Sequence, residues 1–90
     1  MKEKVLIFYN ENSKNYWFHY VKDFLVNNNM NPKVYRSKYK ISILGNNLKF
    51  ISERDAKKYA IGRHDALFIH NVETKFEREF LKTLILILKE

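Results

Sequence analysis

No cysteine occurs in the 90 residues. Disulfides and thiolate metal sites are therefore excluded, and the fold must stand on its apolar core alone. A cysteine-free chain suits a reducing compartment. Glycine occurs twice, at Gly45 and Gly62, and proline once, at Pro32. A loop that cradles phosphates needs glycines where the backbone closes on the ligand. Two isolated glycines build neither a P-loop nor a dinucleotide-binding turn, which argues against a conventional nucleotide enzyme. Long apolar runs are missing too. The C-terminal run Leu84 to Leu88 falls far short of the ~20 residues of a membrane span. The N-terminal stretch MKEKVLIFYNEN has too short an apolar run for a signal peptide and no small-residue cleavage site. These absences predict a cytoplasmic protein with no membrane role and no cofactor. A last absence concerns charge: no acid lies between Asp23 and Glu53.

What is present suffices for a core. The chain is 46% hydrophobic and 16% aromatic, and its length predicts one domain over residues 1–90. A chain this small buries a modest share of its surface, so its stability is marginal. The net charge of +7 is uneven. Residues 1–45 hold eight Lys/Arg against three acids, and residues 46–90 hold nine against seven. Within the acid-free gap sit Lys33, Arg36, Lys38 and Lys40, with Tyr35 and Tyr39 among them. Such a patch favours anionic partners; the plain alternative is a solvated face in a Lys- and Asn-rich chain.

Hydrophobic patterning orders the elements. Lys4 to Tyr9 contains four consecutive apolar residues, Val5 to Phe8, so it reads as a strand covered on both faces. Ser13 is a candidate N-cap for a helix from about Lys14 to Asn28. Trp17, Tyr20, Val21, Phe24 and Leu25 form its apolar face. The stretch NNNMNP stops it, since Asn tolerates a left-handed cap and Pro32 cannot continue a helix. Lys33 to Ser37 is a short strand. Lys38 to Leu44 alternates as a half-buried strand, with GNN at 45–47 as hairpin turn chemistry and Leu48 to Ile51 returning. Lys38, Lys40 and Lys49 fall on the polar face of this hairpin. Ser52 to Asp55 resembles a capping box that opens a short helix to about Ile61, ended by Gly62. Asp65 to His70 is the next strand. Thr74 to Glu77 is a second capping box before a final helix, with Phe76, Phe80, Leu81, Leu84, Ile85 and Leu88 on one stripe. Leu86 and Ile87 lie off that stripe, so the helix is buried on two sides, packs against another subunit, or ends as a strand. The fold class is α/β: a small single-domain sheet in the order β-α-β-β-β-α-β-α, with helices packed against it.

No catalytic constellation emerges. His64 and His70 flank one strand six residues apart, about 20 Å at strand rise, and cannot share a metal. Asp65 beside His64 gives no ligand spacing. No nucleophile elbow or Cys/His arrangement occurs. Acids such as Glu77 and Glu79 read as solvated helix surface.

The stretch 41–73, ISILGNNLKFISERDAKKYAIGRHDALFIHNVE, resembles the middle of the P-loop ATPase domain of phage large terminases and related helicase-like ATPases. In that family a hairpin, an apolar-F-x-S strand, a short helix and a Gly precede the Walker B strand. Gly45, Phe50, Ser52, Ala56, Gly62 and Asp65 fall at comparable places, and DALFIHNVE is similar to a Walker B strand with its acids replaced. The N-terminal KVLIFYN with its helix looks like the preceding strand-helix unit, so the likeness spans about two-thirds of the chain. The departures are in the chemistry. No G-x-x-x-x-G-K-[ST] is present, and His70 and Asn71 stand where the family has its metal-organising Asp and catalytic Glu. The resemblance implies a shortened, catalytically silent relative in which Arg63, His64, Asp65, His70 and Asn71 mark a vestigial site.

The expected function is a non-catalytic binding module, phage- or mobile-element-derived, from a low-GC bacterial background. It acts through protein–protein contact or self-association by Phe80, Leu84, Ile87 and Leu88. The alternative is a nucleic-acid binder using Lys33, Tyr35, Arg36, Lys38, Lys40 and Lys49, because basic side chains take phosphates and aromatics stack on bases. A third reading makes Arg63, His64 and Asp65 the site of a small enzyme or nucleotide-binding protein. No metal site is expected.

Overall fold

The computed structural model describes residues 2–57, 65–69 and 77–89. In chain order the strands are β1 (Lys2–Phe8), β2 (Lys33–Tyr35), β3 (Lys40–Ile43), β4 (Asn46–Ser52) and β5 (Asp65–Ile69). The helices are α1 (Glu11–Asn27), α2 (Glu53–Ala56) and α3 (Glu77–Lys89). One mixed five-stranded sheet runs in the order β2-β3-β4-β1-β5. β1 pairs in parallel with β4 on one side and β5 on the other, while β2, β3 and β4 form an antiparallel meander.

Side-chain alternation divides the core between two faces. Leu6, Phe8, Ile41, Ile43, Leu48 and Phe50 point to one face, where α1 and α3 cover them. Val5, Ile7 and Ile51 point to the other, where Ala56 of α2 packs on them. The unbroken run Val5 to Phe8 is therefore buried because β1 carries a helix on each side. The larger cluster is aromatic. Phe8 stacks on Phe50 at 5.7 Å, Phe18 meets Phe50 edge-on at 5.4 Å, and Phe80 of α3 reaches Trp17 at 4.4 Å. Each buried aromatic side chain contributes about 1.5–3 kcal/mol of burial, with a further increment from ring geometry.

Local differences from the sequence expectation each have a physical cause. The first helix starts earlier than Ser13: Asn10 is its N-cap, and its side-chain oxygen accepts from the Ser13 N–H at 2.8 Å. Its buried face is Lys14, Trp17, Phe18, Val21 and Leu25, with Tyr20 and Phe24 only partly buried against the core. The helix ends in a Schellman motif: Asn29 N–H donates to Val26 C=O and Met30 N–H to Leu25 C=O, both at 3.1 Å. Asn29 supplies the left-handed residue with φ 57°, and Met30 then packs into the core.

The second strand is shorter than Lys33 to Ser37. Arg36–Lys38 form a 3₁₀ turn, so Lys38 is not part of the hairpin strand. Tyr39 follows with φ 48°, and β3 begins only at Lys40. The hairpin turn is not GNN: it is Leu44-Gly45, with φ 49° and 77°, joining Ile43 to its partner Asn46. A two-residue turn with positive φ at both positions matches the twist of the flanking strands. Asn46 is then free to work elsewhere. Its buried side-chain amide donates to Leu44 C=O at 3.1 Å and to Leu88 C=O at 3.3 Å, tying the hairpin to the end of α3. That end is helical through Lys89. The Ser52 cap is present, its Oγ accepting from Asp55 N–H. The rest of the expected helix to Ile61, the Gly62 stop and the Thr74–Phe76 part of the second capping box lie outside the described residues.

Candidate nucleic-acid interface

Among the described residues, α2 is the element that packs on the face opposite α1. α2 sits over β1 and the end of β4, and the meander continues past it. Pairing places Tyr35, Lys40 and Lys49 in one row across β2, β3 and β4, and Lys33, Ser42 and Asn47 in the next. The period of two along each strand puts both rows on the same face, where Lys33 and Tyr35 are exposed, Lys40, Asn47 and Lys49 half-buried and Ser42 buried. Val34, Ile41 and Leu48 fill the intervening row on the core face. The hairpin's alternation thus produces a polar shelf backed by aliphatic packing.

Within the shelf the cations are close. The Lys40 ammonium lies 4.6 Å from the centre of the Tyr35 ring, a cation–π contact. Lys49 is half-buried, and its Nζ donates to the Lys38 carbonyl, fastening the 3₁₀ turn to the sheet. Ser42 Oγ donates to Asn47 Oδ1 within the second row. Burial pushes the Lys49 ammonium pKa below its ordinary value, and the neighbouring charges of Lys40, Lys14 and Lys38 push it further the same way. The folded chain holds this charge at a cost, which a bound anion would relieve.

Lys14 arrives from the other side of β4. It is nearly buried, forms an ion pair with Glu11 at 2.7 Å and lies 3.8 Å from the centre of the Tyr39 ring. Tyr39 is committed to the core: its ring meets Phe18 at 5.1 Å. The Glu11 carboxyl is held below its ordinary pKa by hydrogen bonds from Lys14 and Ser52. β3 begins late, so the last residues of β4 run beyond it and leave a hollow of about 330 Å³. Lys14, Ser37, Lys38, Tyr39, Lys49 and Asp55 line it, together with Phe50 and Ile51 of β4.

A second hollow, of about 350 Å³, lies between Tyr9, Asn10, Glu11, Asn12, Ser52 and Arg54. It opens where β1 continues into α1 on one face and the adjacent β4 continues into α2 on the other. In open sheets this switch point at the carboxyl ends is where ligands commonly settle.

Of the expected anion-binding residues, Lys33, Tyr35, Lys40 and Lys49 meet on the shelf, while Arg36 and Lys38 sit on the 3₁₀ turn at its end. Sequence reasoning missed Lys14, Ser37, Asn47 and Asp55. Asn47 was readable as the i+2 neighbour of Lys49 on the same strand. Lys14 and Asp55 carry no local signal, because tertiary packing alone brings them to β4. The expected partner-binding residues divide differently. Phe80 and Leu84 are buried in the chain's own core, and Leu88 is partly buried against it. The side chain of Ile87 lies outside the described residues. Among the described side chains of α3, the exposed large apolar ones are Ile85 and Leu86.

The residues of the vestigial site fall mostly outside the described part: Arg63, His64, His70 and Asn71 do so entirely. Asp65 opens β5 opposite Lys4 in the parallel ladder, and its side chain is not among those described. Among the described residues no group of three His, Asp or Glu could hold a metal ion. No helix among them is long and apolar enough to cross a membrane. Comparison with protein-family models, curated proteins and solved structures gives no match.

Proposed function

We propose that this protein is a non-catalytic binding module that takes a single nucleic-acid strand across the β2-β3-β4 shelf. The row Tyr35-Lys40-Lys49, flanked by Lys33 and Lys38, is the observation that carries this reading. Basic side chains neutralise phosphates, and an aromatic beside them offers a surface for a base. Three strands at ~4.8 Å spacing give a flat shelf about 10 Å across. That suits a single strand better than a duplex, whose major groove admits a helix or a two-stranded ribbon. The Tyr35 ring carries the Lys40 ammonium, so a base stacks there only by sharing or displacing it. The cysteine-free chain suits action in the reducing cytoplasm.

Fluorescence anisotropy with labelled single- and double-stranded DNA tests the reading. Micromolar or tighter binding to single strands is expected. The logarithm of affinity should fall with the logarithm of salt at about 0.7 per neutralised phosphate, so four lysines give a slope near −3. Lys38→Glu with Lys40→Glu should abolish both binding and salt dependence; unchanged affinity would remove the proposal. A second reading, protein contact or self-association, rests on the exposed Ile85 and Leu86 of α3. Sedimentation distinguishes it, because an oligomer dispersed by Leu86→Lys points to α3 and a strict monomer points away from it.

A further inference from the structure

We propose that the hollow at the end of β4 is a pocket for a phosphate monoester: the terminal phosphate of a strand lying on the shelf. The inference rests on the strand-binding reading and adds to it a recognised end.

Three observations converge on the pocket. First, it joins the shelf without a break, since Lys49 belongs to the Tyr35-Lys40-Lys49 row and also lines the hollow. A strand crossing the row toward the carboxyl end of β4 arrives at its mouth. Second, the lining is cationic: Lys14, Lys38 and Lys49 face one carboxylate, Asp55. Lys14 is already paired with Glu11, and Asp55 stands within 4.0 Å of Arg54 on its own helix. The Lys49 ammonium donates to the Lys38 carbonyl, and among the described ion pairs neither Lys38 nor Lys49 has a carboxylate within 4.0 Å, although Glu3 acts on Lys49 from further off. Third, one side of the hollow is fixed: Tyr39 lines it with its ring held against Phe18 and Lys14. An internal phosphodiester carries one negative charge and continues in both directions, so it passes the mouth. A terminal monoester carries up to two charges and ends, so it can enter. Lys38, Lys49 and Ser37 are the donors lining the hollow that a terminal phosphate would use.

The test compares short single-stranded DNA oligomers bearing a 5′-phosphate, a 3′-phosphate or neither, by anisotropy at fixed salt. One phosphorylated form should bind about tenfold more tightly than the unmodified strand, as a charge-assisted contact allows. Which end it is gives the direction of the strand across the shelf. Ser37→Asp places a carboxylate on the exposed turn without touching the core, and should erase the preference while keeping most of the affinity. Lys38→Gln should erase the preference as well, with a loss of affinity shared equally by all three strands because Lys38 also serves the shelf. Three strands binding equally would overturn the pocket and leave the shelf standing. No binding by any of them would overturn both. A preference that survives Ser37→Asp and Lys38→Gln would place the phosphate elsewhere and overturn the inference.

Discussion

The two halves of the sheet bury their residues by different rules. In the parallel half, β1 is covered by α1 and α3 on one side and by α2 on the other, and its sequence is a continuous apolar run. In the antiparallel half, Ile41 and Ile43 of β3 face the core, while Lys40 lies half-buried on the opposite face with the small, buried Ser42 beside it. A strand buried on both faces has no room for a ligand. A strand buried on one face presents every second residue, and here those residues are a tyrosine and lysines, with an asparagine half-buried among them. The half that holds the fold together and the half with a surface to offer are thus different strands, hinged on β4, which belongs to both.

The sharpest way to break this comparison is to place a carboxylate on every position of one strand from each half. Val5→Asp and Leu6→Asp should both cost about 4 kcal/mol or more, enough to unfold a marginal domain, because neither face of β1 can solvate a charge. On β3 only Ile41→Asp should do so, and Lys40→Asp should stay within about 1 kcal/mol. Urea melts read the difference directly. Equal tolerance at Val5 and Lys40 would show that α2 does not cover β1.

A smaller effect sharpens the comparison at the hairpin that builds the shelf. Leu44 is a leucine with φ 49° and its side chain in solvent. The left-handed region costs a branched residue about 1–2 kcal/mol, and nothing is gained in return by packing. Leu44→Asn should raise the melting temperature by several degrees, with ~1 kcal/mol moving a domain of this size by about 4–8 °C. Strand binding should be untouched.

The smallest effect lies at the seam between the halves. The Glu11 carboxyl pKa is lowered in the fold, by Lys14 first and then Ser52. Below its folded pKa the carboxylate is lost in both states. Above its unfolded value it is charged in both, and the fold gains the full benefit. Stability from this group is therefore present above about pH 4.5 and fades as pH falls. Glu11→Gln should flatten the acid limb of a melting-temperature profile and leave the neutral plateau slightly lower.

How much of this was legible in the sequence follows from where each signal resides. β1 was readable because its run is contiguous, and the basic face of the hairpin because alternation is local. The start of α1 was misplaced because Asn10 and Ser13 are both competent caps three residues apart, and only the register of the helix chooses between them. The turn was misplaced because Leu44 is a poor left-handed residue: the strands dictate the turn there, against the preference of its residue. Tyr39 hid for the same reason, since a tyrosine with φ 48° interrupts what reads as simple alternation. The hollow was invisible because its walls come from α1, the 3₁₀ turn, β4 and α2, which are neighbours in space alone. Phe80 and Leu84 looked like a partner surface because an apolar stripe does not say whether its own sheet or another chain will cover it.

The brevity of β2 has one more consequence. It is an outer strand of the sheet, and an outer strand is a template on which another chain can add its own backbone. β2 offers only three residues, begins directly after Pro32 and is cut short by the turn at Arg36. Lys33 stands exposed on it. A second molecule stacking edge to edge would find too few hydrogen bonds to hold and a positive charge to bury. The same interruption that shapes the pocket thus protects the chain from polymerising through this edge.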